Sequence, residues 1–496
     1  MTFFRNTGLG SIVVVMITRN IMTLLSNRRS FLKLAGTASA SILGFPAIVH
    51  AQNKGDKLRV ALIATGGKGG AHINMVKQAG DIVVAHCDVD TKRQGGVPKM
   101  WADSRFYQDY RILLEKEMKN IDAVMISTPD HHHYLPTALA MEGGKHVYTQ
   151  KPLVHTVWEA RQLLGATKKF KLATQMGNQG HAGRGNREIY EYVNSGMLGD
   201  ITEIHCCTNR PVWPQGLERP AGEDPVPANL DWDLFLGPAP LRPFKDKRVY
   251  HDFNWRGWYD FGGGALADMA CHTMDSIFWS MNLGLPQSVE VVEIHGHTTE
   301  TFPKGAIFRW TYAAGTLPNG KPRPELVIYW YEGKLMKDGV EVMASERMRR
   351  PEKLAPGVKL AASGNVYFGT KHDLIVEGSY GDVSRIAQTE EEKKTNPIGK
   401  PAEMLPRNPD GEGDFGQYMD WQRACKGEKA WDAPGSNFLY AATFTESILL
   451  GNIALRVGKV NEKLIYDGKA MKFTNNQAAN GFLTKEYRKG WFHQLV

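Results

Sequence analysis

Residues 57–88 read KLRVALIATGGKGGAHINMVKQAGDIVVAHCD. Lys57 to Ala64 is a short apolar run rich in β-formers, as a parallel strand buried on both faces requires. Thr65-Gly66-Gly67-Lys68-Gly69-Gly70 follows, then a helix-compatible stretch to Ala79, then a second strand from Ile82 to Cys87 that ends in Asp88. Strand, glycine turn, helix, strand and acid is the order of a dinucleotide-binding βαβ unit. Glycines let the backbone approach a pyrophosphate, and the helix N-terminus offers it free N–H groups. Asp88 falls about 20 residues past the turn, where a carboxylate accepts from both ribose hydroxyls and repels a 2′-phosphate; NAD is therefore expected rather than NADP. The first glycine of the GxGxxG pattern is replaced by Ala64, with Gly66 and Gly69 in the other two places.

Working outward, two more strand ends should border the same cofactor, because ligands of open α/β sheets lie beyond the carboxyl ends of the strands. Ile121 to Ser127 leads into Thr128-Pro129-Asp130-His131-His132-His133, and Lys145 to Thr149 delivers Gln150-Lys151-Pro152. The expected cofactor-binding set is Thr65, Gly66, Gly67, Lys68, Gly69, Asp88, Thr128, Pro129, His131, Gln150 and Lys151. Three consecutive histidine side chains diverge and have no companion Cys or acid cluster, so no metal site is expected.

The second chemistry-bearing stretch is GGGALADMACHTMD, Gly262 to Asp275. A glycine bend opens it and a helix carries Asp268, His272 and Asp275. Asp268 and His272 are four apart and share a face, so the carboxylate can orient the ring and stabilise its cation. Between the two stretches, Lys171 to Thr174 reads as the last strand of the first domain. Asn178 and His181, at the junction that follows, are candidates to touch a substrate. Residues 209–258 are rich in Trp, Pro and Arg; Trp255 and Arg256 are candidates there, since tryptophan faces suit sugar rings and Arg suits their hydroxyls. The same aromatics equally suit packing of a long loop. Farther on, Ala306 to Tyr312 and Leu326 to Tyr331 alternate as strands, Lys371-His372-Asp373 turns a hairpin, residues 387–415 read as a surface loop, and Phe438 to Val457 has helical spacing.

VALIATGGKGG, the CDVD at Cys87 to Asp90, the STPDHHH at Ser127 to His133, the QKP at Gln150 to Pro152 and GGGALADMACHTMD together resemble the Gfo/Idh/MocA oxidoreductase family. The resemblance covers most of the chain from Lys57 onward. It implies an α/β chain with an N-terminal Rossmann dinucleotide-binding domain at 57–176 and a C-terminal α/β domain with a mostly antiparallel sheet at 177–496, for substrate binding and oligomerisation. It implies Lys151, Asp268 and His272 as catalytic residues, with His272 also at the substrate. Gln150 departs from the family's usual Glu, which removes a charge near the nicotinamide ribose. A homo-oligomer, dimer or tetramer, is implied by the same likeness.

Composition bounds the surroundings. Residues 1–51 carry Arg5, Arg19, Arg28, Arg29, Lys33 and no acid; removing these five cations takes the formal charge from +8 to +3. A nearly balanced body argues against nucleic acid as a partner. Asn27-Arg28-Arg29-Ser30-Phe31-Leu32-Lys33, a mild apolar run and Val49-His50-Ala51 read as a twin-arginine signal peptide over residues 1–51, with the export machinery as a partner and a periplasmic or otherwise exported location. The run is short and rich in Ala, Ser and Gly, so no stable membrane span is expected. Five cysteines and no CxxC argue against a disulfide framework.

The reading that follows is an exported, NAD-dependent oxidoreductase acting on the CH–OH group of a sugar, sugar derivative or cyclitol. Because little free NAD is expected outside the cytoplasm, the cofactor should be tightly held. Two alternatives stand. One is a redox-neutral, NAD-dependent glycoside hydrolase that oxidises, eliminates, adds water and reduces, with His181 as the extra acid or base. The other is a non-catalytic sugar- or nucleotide-binding protein, whose mark would be loss of the Lys, Asp or His.

Overall fold

The computed structural model describes residues 57–496. The leader, with its twin arginines, lies outside the described residues. Six parallel strands open the fold: β1 (Arg59–Ile63), β2 (Ile82–Cys87), β3 (Arg105–Tyr107), β4 (Ala123–Ile126), β5 (His146–Thr149) and β6 (Thr174–Met176). Their order across the sheet is β3-β2-β1-β4-β5-β6, with β1 paired in parallel to both β2 and β4. This order reverses direction between β1 and β4, which opens a crevice at the carboxyl ends of those strands. Val60, Ala61, Leu62 and Ile63 are all buried, as the unbroken apolar run requires of a strand covered on both faces. The last strand of this sheet is Thr174–Met176, slightly later than the apolar run at Lys171 suggested.

One face of this sheet is closed from far along the chain. The helix Gly413–Cys425 packs Tyr418, Trp421, Ala424 and Cys425 against Leu58, Val60, Leu62 and Val76. Its polar groups tie the same way: Tyr418 Oη and Gln422 Nε2 donate to Asp81 Oδ2 at 2.8 and 2.6 Å, and Trp421 Nε1 donates to the Ala173 carbonyl at 3.1 Å. Residues 387–415 are thus not wholly loop; a capped turn of helix, Glu390–Thr395, sits within them.

The second sheet has ten strands. Nine run in the order Val383–Ile386, Leu374–Glu377, Gly364–Gly369, Ile201–Thr208, Leu326–Lys337, Gly305–Tyr312, Ser288–His295, Leu464–Asp467 and Lys472–Phe473, and Val340–Met343 pairs beside Leu326–Lys337. All neighbours are antiparallel except Ile201–Thr208 and Leu326–Lys337. The Gly364–Gly369 and Leu374–Glu377 strands form the hairpin expected around Lys371-His372-Asp373. The helix Phe438–Val457 lies over the sheet; it is long and apolar enough to span a bilayer, but it is the buried centre of this fold. Gly451 makes that possible, because a Cβ there would meet both Leu266 and Trp310 at 2.6 Å. The helix Gly264–Thr273 is held between this helix and the sheet, with Leu266, Ala267, Ala270 and Cys271 buried. It ends at Met274, and Asp275 opens a separate helix, Asp275–Ser280. All five cysteines are buried and unpaired.

Candidate functional site

The cleft beyond β1 and β4 has a volume of about 670 Å³ and draws lining residues from both sheets. Its floor is the glycine turn, with Gly66, Gly67 and Lys68 exposed to it and Gly67 at φ +54°. A Cβ on Gly66 would meet the Arg93 guanidinium at 2.2 Å, so the bare backbone is what leaves room there. Asp88, at the end of β2, is fixed by three backbone amides: Thr65 N and Gly66 N donate to Oδ2 at 3.1 and 3.2 Å, and Asp90 N to Oδ1 at 3.0 Å. Burial pushes the Asp88 carboxyl above its ordinary value, against those three hydrogen bonds and Arg93.

In the same cleft, Lys151 Nζ donates to Asp268 Oδ1 at 2.7 Å, and Arg256 Nε donates to the same oxygen at 3.2 Å. Burial alone would raise the Asp268 carboxyl, but the two cations outweigh it and hold it at about 2. His272 lies one turn farther along the same helix, its ring edge-on to Tyr380 at 4.9 Å and its Nδ1 without a partner among the described residues. Burial and the Lys151 charge drive the His272 imidazole well below its ordinary value, so it is neutral at pH 7. The Asp268 carboxylate therefore does not orient the imidazole, as the spacing suggested. Its hydrogen bonds go to Lys151 and Arg256.

Gln150 shows how the departure from Glu is accommodated. Its Nε2 lies 2.9 Å from His72 Nε2, and His72 Nδ1 lies 2.8 Å from Ser127 Oγ. The amide donates to Nε2, so the ring proton sits on Nδ1 and faces the serine. Burial holds the His72 imidazole down at about 3, in keeping with a neutral amide rather than a carboxylate beside it.

The cleft gathers most, not all, of the expected residues. Gly66, Gly67, Lys68, Asp88, Thr128, Pro129, Gln150, Lys151, Trp255, Arg256, Asp268 and His272 line it. Thr65 does not: its hydroxyl donates to the Arg93 carbonyl at 2.7 Å, and only its amide serves Asp88. Gly69 lies behind the turn, where a Cβ would meet the Ala64 carbonyl oxygen at 2.3 Å; it brings the helix close to β1. His131 is turned away, its ring between the carbonyls of Phe235 and Phe261 at 3.0 and 3.2 Å. Asn178 is fully buried outside the cleft, and its carbonyl accepts from Gln417. His181 is likewise removed, with Nδ1 at 3.0 Å from both oxygens of Asp275 and its ring stacked on Trp279 at 4.5 Å. Asp275 also accepts from Asn186 and Tyr440, so this is a buried structural knot rather than a proton-handling pair at the cleft.

Some lining residues carried no sequence signal of their own. Tyr380 and Ser379 reach the cleft from the turn between the strands Leu374–Glu377 and Val383–Ile386. His251, Asp252 and Phe253 come from the long aromatic segment, and Asp252 pairs with Arg93 across the mouth. Asp130 is the most consequential. It lines the cleft and accepts from the Gly263 amide at 2.9 Å; burial outweighs Lys151 and Arg256 and raises its carboxyl to about 7. Its place inside STPDHHH, between a turn proline and three histidines, disguised it as turn chemistry.

The model described as oxidoreductase family, NAD-binding Rossmann fold matches residues 58–178, and that described as oxidoreductase family, C-terminal alpha/beta domain matches 185–317. The chain belongs to the Gfo/Idh/MocA oxidoreductase family. Its Rossmann half is thereby an NAD-binding domain, and the bare glycine turn with Asp88 at the end of β2 fits that cofactor. Among curated relatives of this Gfo/Idh/MocA chain, a glycosyl hydrolase family 109 protein of Shewanella pealeana is 28% identical over 203 residues, 35% of this chain and 44% of that protein. An inositol 2-dehydrogenase of Pseudomonas fluorescens is 27% identical over 160 residues, 31% of this chain and 46% of that one. The chain thus matches less than half the length of either. Among solved structures, the WlbA dehydrogenase of Chromobacterium violaceum, in complex with NADH and UDP-GlcNAcA, superposes with a TM-score of 0.55 at 16% identity, covering 84% of this chain and 98% of that one. That likeness is one of fold.

Proposed function

We propose that this protein is an exported oxidoreductase that acts on the CH–OH group of a sugar, sugar derivative or cyclitol and keeps its NAD tightly bound. The observation that carries the reading is the Lys151–Asp268 pair beside neutral His272, in the same cleft as Asp88 and the glycine turn. Gly66, Gly67 and Lys68 would hold the pyrophosphate, Asp88 a ribose, and Thr128, Pro129 and Gln150 the nicotinamide end. Bound there, NAD supplies a hydride acceptor or donor at the ring carbon C4. Lys151 holds the substrate oxygen and exchanges its proton. Asp268, ionised at any working pH, keeps Lys151 in place. His272, neutral and with no partner for its Nδ1 among the described residues, takes the proton onward. Positioning and proton transfer together account for catalysis of this kind. Trp255 and Arg256 would bind the polyol. Export through the twin-arginine route and a homo-oligomer are part of the same proposal.

The relative in glycosyl hydrolase family 109 favours a second reading, the redox-neutral glycosidase. It needs one more acid or base, and Asp130 rather than His181 is the group in the cleft with a suitable carboxyl. The test is to denature the purified protein and identify the released nucleotide by mass spectrometry, then assay glycosides without added NAD. Near-stoichiometric NAD(H) supports both enzymatic readings, and glycoside turnover selects the second. Bound NADP contradicts the role given to Asp88. A protein that is empty and ignores added NAD leaves only a binding module.

A further inference from the structure

A guanidinium lies on the glycine turn. A Cβ on Gly66 would run into Arg93 Nε and stand 2.6 Å from Nη2, and a Cβ on Gly67 would stand 3.7 Å from the same Nη2. The Nε–Nη2 edge of Arg93 therefore faces the turn, while its third nitrogen, Nη1, pairs with Asp252. Nε and Nη2 have no hydrogen-bond partner among the described residues, and neither is closed off from solvent; the side chain is 27% exposed and lines the cleft. The stem is pinned at both ends of its peptide unit. Arg93 N donates to the Asp90 carbonyl at 2.9 Å, and the Arg93 carbonyl accepts from Thr65 Oγ1 at 2.7 Å.

The turn supplies the other half of the site. Gly66 N donates to Asp88, but the Gly67 and Lys68 amides have no acceptor among the described residues. Successive open amides form a concavity for an oxyanion, and a guanidinium edge beside them adds a full charge. The neighbouring charges leave that role to Arg93. Lys68 Nζ is held by both oxygens of Asp414 at 2.7 and 2.8 Å, and Asp88 is turned to the amides of Thr65, Gly66 and Asp90. Arg248 Nε donates to Asp252 Oδ1 at 3.1 Å, so two guanidiniums share one carboxylate and a positive charge is left over beside the turn.

We propose that Arg93 is a cofactor-binding residue whose Nε–Nη2 edge holds the pyrophosphate of the dinucleotide together with the Gly67 and Lys68 amides, and that Asp252 is the positioning residue that aims it. A guanidinium edge matches two phosphate oxygens in paired, charge-assisted hydrogen bonds. The assignment rests on the NAD-binding domain and not on the reaction proposed for the cleft.

The test is displacement of NADH, followed by its fluorescence, from the full chain freed of bound nucleotide. The competitors are ADP-ribose, which carries the pyrophosphate, and adenosine, which lacks it. Arg93→Gln should weaken NADH and ADP-ribose about tenfold or more, leave adenosine within about twofold, and flatten the salt dependence of ADP-ribose binding. Arg93→Lys should recover part of the loss, because it keeps the charge without the paired edge. Asp252→Asn should weaken ADP-ribose in the parent and add nothing in Arg93→Gln. ADP-ribose held by Arg93→Gln within about twofold of the parent overturns the proposal. So does an equal loss for adenosine, which would make Arg93 a support for the shape of the site. Additive effects of Arg93→Gln and Asp252→Asn overturn the part given to Asp252. A parent that binds neither NADH nor ADP-ribose contradicts the cofactor site itself, and the proposal falls with it.

Discussion

Asp130 and Asp268 are two carboxyls of one cleft with opposite fates, and the difference is what stands beside each. Asp268 touches two cations and is held at about 2, below the ordinary 3.8. Its charge therefore stabilises the fold fully above pH 4, and that contribution is lost as pH falls toward 2. The Asp130 carboxyl accepts, among the described residues, from the Gly263 amide alone, and burial raises it to about 7. Its protonated form is the favoured one, so its contribution is complete below pH 4 and is lost as pH rises through 7. Asp130→Asn should thus gain in thermal midpoint relative to the parent as pH increases from 5 to 8.5, in melts followed across that range; parallel curves would remove the argument. For the reaction itself, Lys151→Ala should lower kcat by about 10²- to 10⁴-fold, the usual range for losing a proton-transfer group. Unchanged turnover in a steady-state assay removes Lys151 from the mechanism.

At the scale of elements, the glycine turn and the helix behind it act as one piece. Ala64 occupies the place of the usual first glycine and takes φ +65° to do so, a conformation that costs an alanine about 1–2 kcal/mol. The close approach it serves is the contact of its carbonyl with Gly69. Gly69→Ala must push the helix Gly69–Gln78 off β1 and move the Gly66–Lys68 amides with it. We expect weaker NAD binding with kcat at saturating NAD largely kept, read by fluorescence titration and steady-state kinetics; unchanged affinity would show that the turn tolerates the shift. The helix Val157–Phe170 offers a control, because Thr156 and Glu159 form a reciprocal cap remote from the glycine turn. Thr156→Ala should cost about 1 kcal/mol of stability in urea unfolding and leave NAD affinity alone.

Across the whole molecule, two ion pairs at the mouth of the cleft join the later part of the chain to the cofactor domain. Lys68 of the glycine turn reaches Asp414 at 2.7 Å, and Arg93 pairs with Asp252 over Gly66. Both pairs are partly exposed, so neither contributes much to stability. Their place at the mouth suits them to slowing escape of a bound dinucleotide. The double variant Asp252→Ala/Asp414→Ala should release NAD faster in a chase experiment with excess unlabelled cofactor while melting near the parent temperature; an unchanged release rate would contradict a latch. Trp421, fully buried against the first sheet, is the structural counterpart. Its replacement by Ala should cost about 3–5 kcal/mol in denaturant unfolding.

Local chemistry alone specified the βαβ unit, the strand ends that border the cleft, the Asp268–His272 helix and the long helix Phe438–Val457, which the sequence bounded correctly. Periodicity and turn residues act over a few positions, and those positions are adjacent in the chain. They could not tell a side chain that faces the cleft from its neighbour that faces away. His131 and Asp130 are consecutive, yet a short 3₁₀ turn sends one to the carbonyls of Phe235 and Phe261 and the other to the cleft. Likewise Asp275 left the face of His272 because the helix breaks at Met274, and it drew His181 away with it. Tyr380 and Asp252 entered the cleft, Asp414 reached Lys68 at its edge, and Trp421 entered the first core, from segments more than 100 residues from the glycine turn. Their positions depend on packing between distant elements, which leaves no periodic trace in the residues themselves.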